Sequence, residues 1–155
     1  MRRLILSMCI MGLVLGLFSI ALAEESQRTA LLSDFKGVVE IKSGQTDWIP
    51  AKMNMVLKQG DVLRTKKDSW AMLQLDGAAQ TATVEIKENS QLQLAEILEN
   101  KAEATQSTLL DLALGEILIK AKKLHAEKSK FEVKTPTSIV GVRGTTFSVA
   151  VEAVE

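Results

Sequence analysis

Residues 135–152 read TPTSIVGVRGTTFSVAVE, and the fold turns on how they are read. Two glycines and an arginine interrupt a run whose other residues suit a β-strand. Val140 and Val142 fall on even positions, whereas Phe147, Val149 and Val151 fall on odd ones. The apolar set therefore changes parity between 142 and 147, and Gly144 lies in that gap. A strand changes phase through a bulge or tight bend, where glycine is favoured because it accepts positive φ. Leu112 and Leu114 give way to Ile117 and Ile119 across Gly115 in the same manner. On this reading the glycines answer to geometry.

The chemical readings of the same stretch lack their partners. A P-loop needs two glycines with four residues between them, then lysine and a hydroxyl residue opening a helix. Gly141 and Gly144 have two residues between them, no lysine follows, and the next segment reads as strand. A nucleophile elbow needs Gly-x-Ser-x-Gly with an acid and a histidine. Neither Ser138 nor Ser148 has that setting, and the one histidine, His125, lies in a charged linker. Arg143 has two readings: a solvent-facing arginine tying the last strand to an acidic turn, or an anchor for a carboxylate-bearing partner.

Outward from this stretch the period stays at two. Phe35, Gly37, Val39 and Ile41 alternate with Lys36, Val38, Glu40 and Lys42, as do Ala71, Leu73 and Leu75 with Trp70, Met72, Gln74 and Asp76. So do Val84 and Ile86, Leu92 and Leu94, Leu110 and Leu112, and Phe131 and Val133. Such alternation marks half-buried strands. Helical spacing shows weakly in 96–107 and 121–130, both polar and expected as hairpin connections with some helical character. Residues 31–34 are expected as a lead-in turn. Turn signals stand at Ser43-Gly44, Gln59-Gly60-Asp61, Asp76-Gly77 and Glu88-Asn89-Ser90. A loose echo recurs in Gly37-Val38-Val39, Gly60-Asp61-Val62 and Gly115-Glu116-Ile117, which suggests stacked, similar β-turns at irregular spacing. The expected fold is all-β: a single compact β-sandwich or a short β-solenoid-like domain of stacked short strands.

The first residues have a different character. Arg2 and Arg3 precede the apolar run LILSMCIMGLVLGLFSI, then Ala21-Leu22-Ala23, then Glu24-Glu25. Charged start, apolar middle and a small-x-small site form a secretory signal peptide, so cleavage is expected after Ala23. An uncleaved anchor over residues 4–23 is the competing reading. Cys9, the only cysteine, lies inside the apolar run, where it cannot carry a lipid after cleavage. The exported remainder then has no disulfide and must hold together through its apolar core. The whole chain carries 19 basic and 19 acidic residues; loss of Arg2 and Arg3 leaves a slight acidic excess. Near-neutral charge offers no field for nucleic acid or an anionic membrane surface.

Metal and sugar sites need residue types that are scarce in this chain. Without cysteine and with one histidine, zinc would rest on carboxylates, and Asp61, Asp68 and Asp76 form no closely spaced calcium loop. No metal, cofactor or catalytic residue is expected. The chain has no tyrosine, which leaves Trp48 and Trp70 as the aromatic surfaces on which a glycan could stack.

Taken in order, several short elements resemble the FecR domain family. They are Gly37-Val38-Val39, Gln59-Gly60-Asp61-Val62-Leu63-Arg64-Thr65 and the Ala71 to Gly77 stretch, then Leu112 with Gly115-Glu116-Ile117. Phe131, Val133 and Thr135-Pro136 come next, and Val142-Arg143-Gly144-Thr145 with Phe147 and Val149 closes the set. The match runs over residues 35–151. The resemblance implies a β-rich, non-catalytic domain on the outer side of a bacterial cytoplasmic membrane. Family members known as iron-transport regulators couple a TonB-dependent receptor to an anti-sigma segment. Only Met1 to Arg3 precede the apolar run here, so a free-standing periplasmic or secreted module is expected. The expected layout is a signal peptide over 1–23, a lead-in over 24–34 and a FecR-like β domain over 35–151. The expected role is a non-enzymatic binding or scaffolding module of the envelope with a protein partner, within a signalling route. A module for peptidoglycan or polysaccharide is the alternative. Arg143, Gly144, Thr145, Phe147, Trp48 and Trp70 are the candidate interaction residues.

Overall fold

In the computed structural model, residues 25–76, 81–122, 128–144 and 146–152 are described, and they form thirteen strands without a helix. In chain order these are β1 (Glu25–Gln27), β2 (Ala30–Lys36), β3 (Val39–Lys42), β4 (Ile49–Pro50), β5 (Val56–Leu57), β6 (Val62–Thr65) and β7 (Trp70–Leu75). They continue with β8 (Ala82–Ile86), β9 (Gln91–Asn100), β10 (Thr105–Ala121), β11 (Lys130–Lys134), β12 (Ile139–Gly141) and β13 (Thr146–Val151). The strands join one curled sheet in the order β4-β3-β6-β9-β10-β8-β7-β2-β5. β1 adds to β9, β11 and β13 add to β10, and β12 adds to β11. All these pairings are antiparallel except β10 with β11. The all-β expectation holds, and the choice left open between sandwich and solenoid resolves as a half-barrel.

The curl comes from strands that pass from one half of the sheet to the other. β10 is the clearest case. Residues before Gly115 pair with β9 and β11, and residues from Gly115 onward pair with β8 and β13. The chain makes the same passage from β2 to β3 at Gly37-Val38, from β6 to β7 over 66–69, and from β8 to β9 over 87–90.

These four corners stack and bond to one another. The Val38 N–H donates to Ser69 Oγ at 2.9 Å, and the Lys66 N–H donates to the Val38 carbonyl at 3.0 Å. In the same pattern the Glu116 N–H donates to Ser90 Oγ at 3.0 Å, and the Lys87 N–H donates to the Glu116 carbonyl at 2.9 Å. Between the two serine corners, Thr65 Oγ1 donates to the Lys87 carbonyl at 2.5 Å and accepts the Ser90 N–H at 3.1 Å. The echo at Gly37 and Gly115 is therefore real, but its counterpart lies in Asp68-Ser69 and Asn89-Ser90. Asp68 and Asn89 both take positive φ, 55° and 52°. Asp and Asn tolerate that region better than other side chains, which keeps each serine aimed at its glycine.

The inward rows are those the period-two pattern marked. Leu73, Leu75, Val84, Ile86, Leu92, Leu94, Leu110, Leu112, Ile117, Ile119 and Val133 are buried in one core. Two residues assigned inward depart from it. Leu114 and Val140 are each 37% exposed. Leu114 follows a register shift just before the Gly115 corner, and Val140 lies on β12, which has a neighbour on one side only.

Two local expectations are corrected. Residues 31–34 form no turn: they lie within β2, whose Ala30 and Leu32 are fully buried. The register shift between Leu32 and Asp34 breaks the alternation there and hides the strand from a period-two reading. The stretch assigned as lead-in, 24–34, thus supplies β1 and the start of β2. Residues 96–107 take no helical character, because β9 and β10 pair across a turn at 101–104. The N-terminal segment 1–23, Gly77 and His125 lie outside the described residues.

Gly115 has φ +89°, and a Cβ there would stand 2.5 Å from Ser90 Cα and closer still to its Oγ. Left-handed backbone strain costs about 1–3 kcal/mol and overpacking about as much again. Gly115→Ala should therefore lose about 3 kcal/mol in urea unfolding. Gly44→Ala, at φ +58° but facing open space, should lose only about 1 kcal/mol.

Candidate functional site

The six candidate residues fall in separate places. Arg143 is exposed and lines an open cleft of about 430 Å³ at the end of the β11–β12 pair. Lys128 and Lys130 share its rim with Glu132, and Phe131 and Val142, both buried, lie beneath. The Lys128 ammonium reaches Glu103 at 3.3 Å, whereas Arg143 makes no ion pair or hydrogen bond among the described residues. An unpaired guanidinium beside two lysines suits a carboxylate, which it can grip in two-pronged fashion.

Gly144 takes φ +69° and carries the chain from β12 to β13, as its place in the parity change requires. Beyond it, Phe147, Val149 and Val151 are half-buried and pack against the core. Phe147 is thus held by folding and lies apart from the Arg143 cleft. Thr145 lies outside the described residues.

The two tryptophans do not form a joint surface. Trp48, between β3 and β4, has its ring covered by Arg64, whose guanidinium carbon is 3.8 Å from the ring centroid. Arg64 Nε also donates to Glu40 at 2.7 Å, and Lys66 lies 3.6 Å from the same carboxylate. The Arg64 hydrogen bond holds the Glu40 carboxyl below its ordinary 4.5, against the opposing effect of burial and with help from Lys66. Trp70, at the start of β7, instead lines a second open cleft of about 780 Å³ against the stacked corners. Glu85, Glu116 and Glu152 line that cleft too, with Lys87 beside Glu85.

The best-connected polar group is one that sequence reasoning passed over. Arg28, between β1 and β2, is buried. It donates from Nε to Asp76 at 2.6 Å and from Nη2 to the other carboxylate oxygen. Its remaining donors reach Thr81 at 3.0 Å and Thr108 at 2.9 Å. This cluster ties the N-terminal strands to β7, β8 and β10. The only signal in the sequence was a basic residue just before the Ala30–Leu32 run, and it gave no hint of the partner. Asp76 is thus spoken for, and Asp61 closes its own turn by accepting the Lys58 N–H at 2.8 Å. Among the described residues no group of three or more His, Cys, Asp or Glu is placed to hold a metal ion.

Two measurements follow from these contacts. Arg28→Met strands a buried carboxylate and should lose roughly 3–5 kcal/mol, part of it recovered in Arg28→Met/Asp76→Asn, which removes the stranded charge and keeps a side chain that tolerates φ +64°; urea unfolding of both variants reads this directly. For Glu40, a depressed folded pKa means the unfolded state binds the proton first as pH falls, so its stabilisation is present above 4.5 and fades below. The gap in melting temperature between the wild type and Glu40→Gln should therefore close as pH drops below 4.5.

No curated protein and no solved structure matches the chain. A family model described as FecR protein matches residues 61–154, from the turn before β6 to beyond β13. β1 to β5 lie ahead of the matched region yet belong to the same sheet and core. With more than half of its length inside that match, the chain belongs to the FecR family.

Proposed function

We propose that this protein is an exported, non-enzymatic binding module of the cell envelope, working in the periplasm or outside the cell within a signalling route. Its target is an envelope protein that presents a carboxylate-bearing segment to the Arg143 cleft. FecR membership supports the signalling context. The basic and apolar start of the chain supports export. The observation that carries the binding reading is Arg143 itself, exposed on a concave surface with no partner among the described residues. An arginine that served only to hold the fold would be engaged by an acidic neighbour, as Arg28 and Arg64 are.

Trp70 favours a second reading. One ring in an open cleft with carboxylates around it suits a sugar, which stacks on aromatic faces and donates its hydroxyls to carboxylates. Trp48 adds nothing to that reading, because Arg64 covers its ring.

Arg143→Ala should leave stability within about 0.5 kcal/mol of the wild type, as exposed positions usually do. Capture of the envelope partner from membrane and periplasmic extract should fall at least about tenfold, the loss of a charge-assisted contact. Unchanged capture would return Arg143 to a solvated role. Trp70→Ala tested by sedimentation with cell-wall polymer decides the second reading: a wild type that does not sediment ends it.

A further inference from the structure

β13 pairs with β10 on one side, and among the described residues nothing pairs with its other side. Unpaired edges are normally blunted by shortness, charge, proline or a bulge. The other edges of this sheet follow that rule. β4 and β5 have two residues each, β4 ends in Pro50, and β12 has three residues before the bend. β13 is six residues long and reads TFSVAV, with no charge, proline or glycine. Its inward residues Phe147, Val149 and Val151 stay half-exposed for want of a further strand.

We propose that β13 pairs antiparallel with β13 of a second copy of this chain, making a two-fold symmetric dimer in which the sheets of the two copies run together. The charges around the edge select that occupant and that direction. Lys120 lies opposite Thr146 at one end, and Glu116, opposite Ala150 with its carboxylate accepting from Ser148 Oγ at 2.8 Å, lies toward the other. Glu152 extends the acidic end and Arg143 precedes the basic one; neither is paired among the described residues. An antiparallel copy sets acidic end against basic end, whereas a parallel copy would set like against like. Parity narrows the register: inward residues meet inward residues only if odd positions face odd ones. Centring on Ser148 satisfies this. It also places Glu152 of one copy opposite Gly144 of the other, beside Arg143. Such rim charges orient the pairing more than they hold it, so the contact does not rest on Arg143 binding another protein.

The dyad makes the test specific. At the centre Ser148 faces itself, with Cα atoms about 4.5–5.5 Å apart, inside disulfide range. Ala150 faces Thr146 of the other copy, and two Ala150 positions lie about 13 Å apart. Positions 146, 148 and 150 are exposed, and cysteine at 148 gives up only the hydroxyl's bonds to Glu116 Oε1 at 2.8 Å and to the Ile117 carbonyl at 3.3 Å. In whole chains carrying Cys9→Ser and oxidised in cells, Ser148→Cys should yield mostly disulfide-linked dimer on a non-reducing gel. Thr146→Cys or Ala150→Cys alone should link at least about tenfold less, and co-expression of those two variants should restore linkage. No linkage at 148, linkage at 150 alone equal to that at 148, or no linkage of the mixed pair would each overturn the proposal.

Discussion

Ser90 standing over Gly115 is the contact on which the shape of this molecule depends. The serine hydroxyl accepts the backbone N–H of Glu116 and donates to carbonyls of its own turn and of Glu116, at 3.0 and 3.3 Å. It can come so close only because residue 115 has no side chain. The result is a continuous strand of seventeen residues that serves both halves of the curled sheet without losing its pairing. A strand that turns a corner must find partners for the N–H and C=O groups it withdraws from the ladder. Here a serine from the adjacent corner supplies one. Gly37 with Ser69 repeats the solution one layer away, and Thr65 bonds the two serine corners together.

The Arg28–Asp76 cluster plays a different part. It lies away from those corners, where β1 runs into β2 and β7 ends. A buried ion pair contributes little net stability over an apolar pair of the same shape, because both charges must leave water. Its geometry is demanding, however, since each donor of the guanidinium must find its own acceptor. Asp76, Thr81, Thr108 and the Ser107 carbonyl meet that demand together. The cluster therefore specifies how the N-terminal strands seat on the rest of the sheet, including a part of the chain ahead of the residues that match the FecR family.

On the binding reading proposed above, the surfaces of the half-barrel are what a partner meets. Three surfaces adjoin one another on the half-barrel: the Arg143 cleft just ahead of β13, the Trp70 cleft, which takes in Ala150, Val151 and Glu152, and the bare edge of β13 itself. The first presents cations, the second an aromatic face with carboxylates, and the third an unpaired backbone. In the proposed dimer Glu152 of one copy stands beside Arg143 of the other, so self-association along β13 competes with capture of another carboxylate by Arg143.

Much of the fold was legible in the residues themselves. Alternation in Leu73–Leu75, Val84–Ile86, Leu92–Leu94 and Ile117–Ile119 identifies strands and their buried faces, because side-chain direction in a strand is a local property of the backbone. The parity changes at Gly115 and Gly144 likewise locate two bends, and both glycines take positive φ. β2 escaped because a bulge within it erases the alternation. What tertiary structure alone decided is which distant groups meet: Ser90 with Gly115, Arg28 with Asp76, Trp48 with Arg64, and Arg143 with none among the described residues. Those pairings depend on strand order and register across gaps of up to dozens of residues, and no local pattern in a chain records which strand will lie beside which.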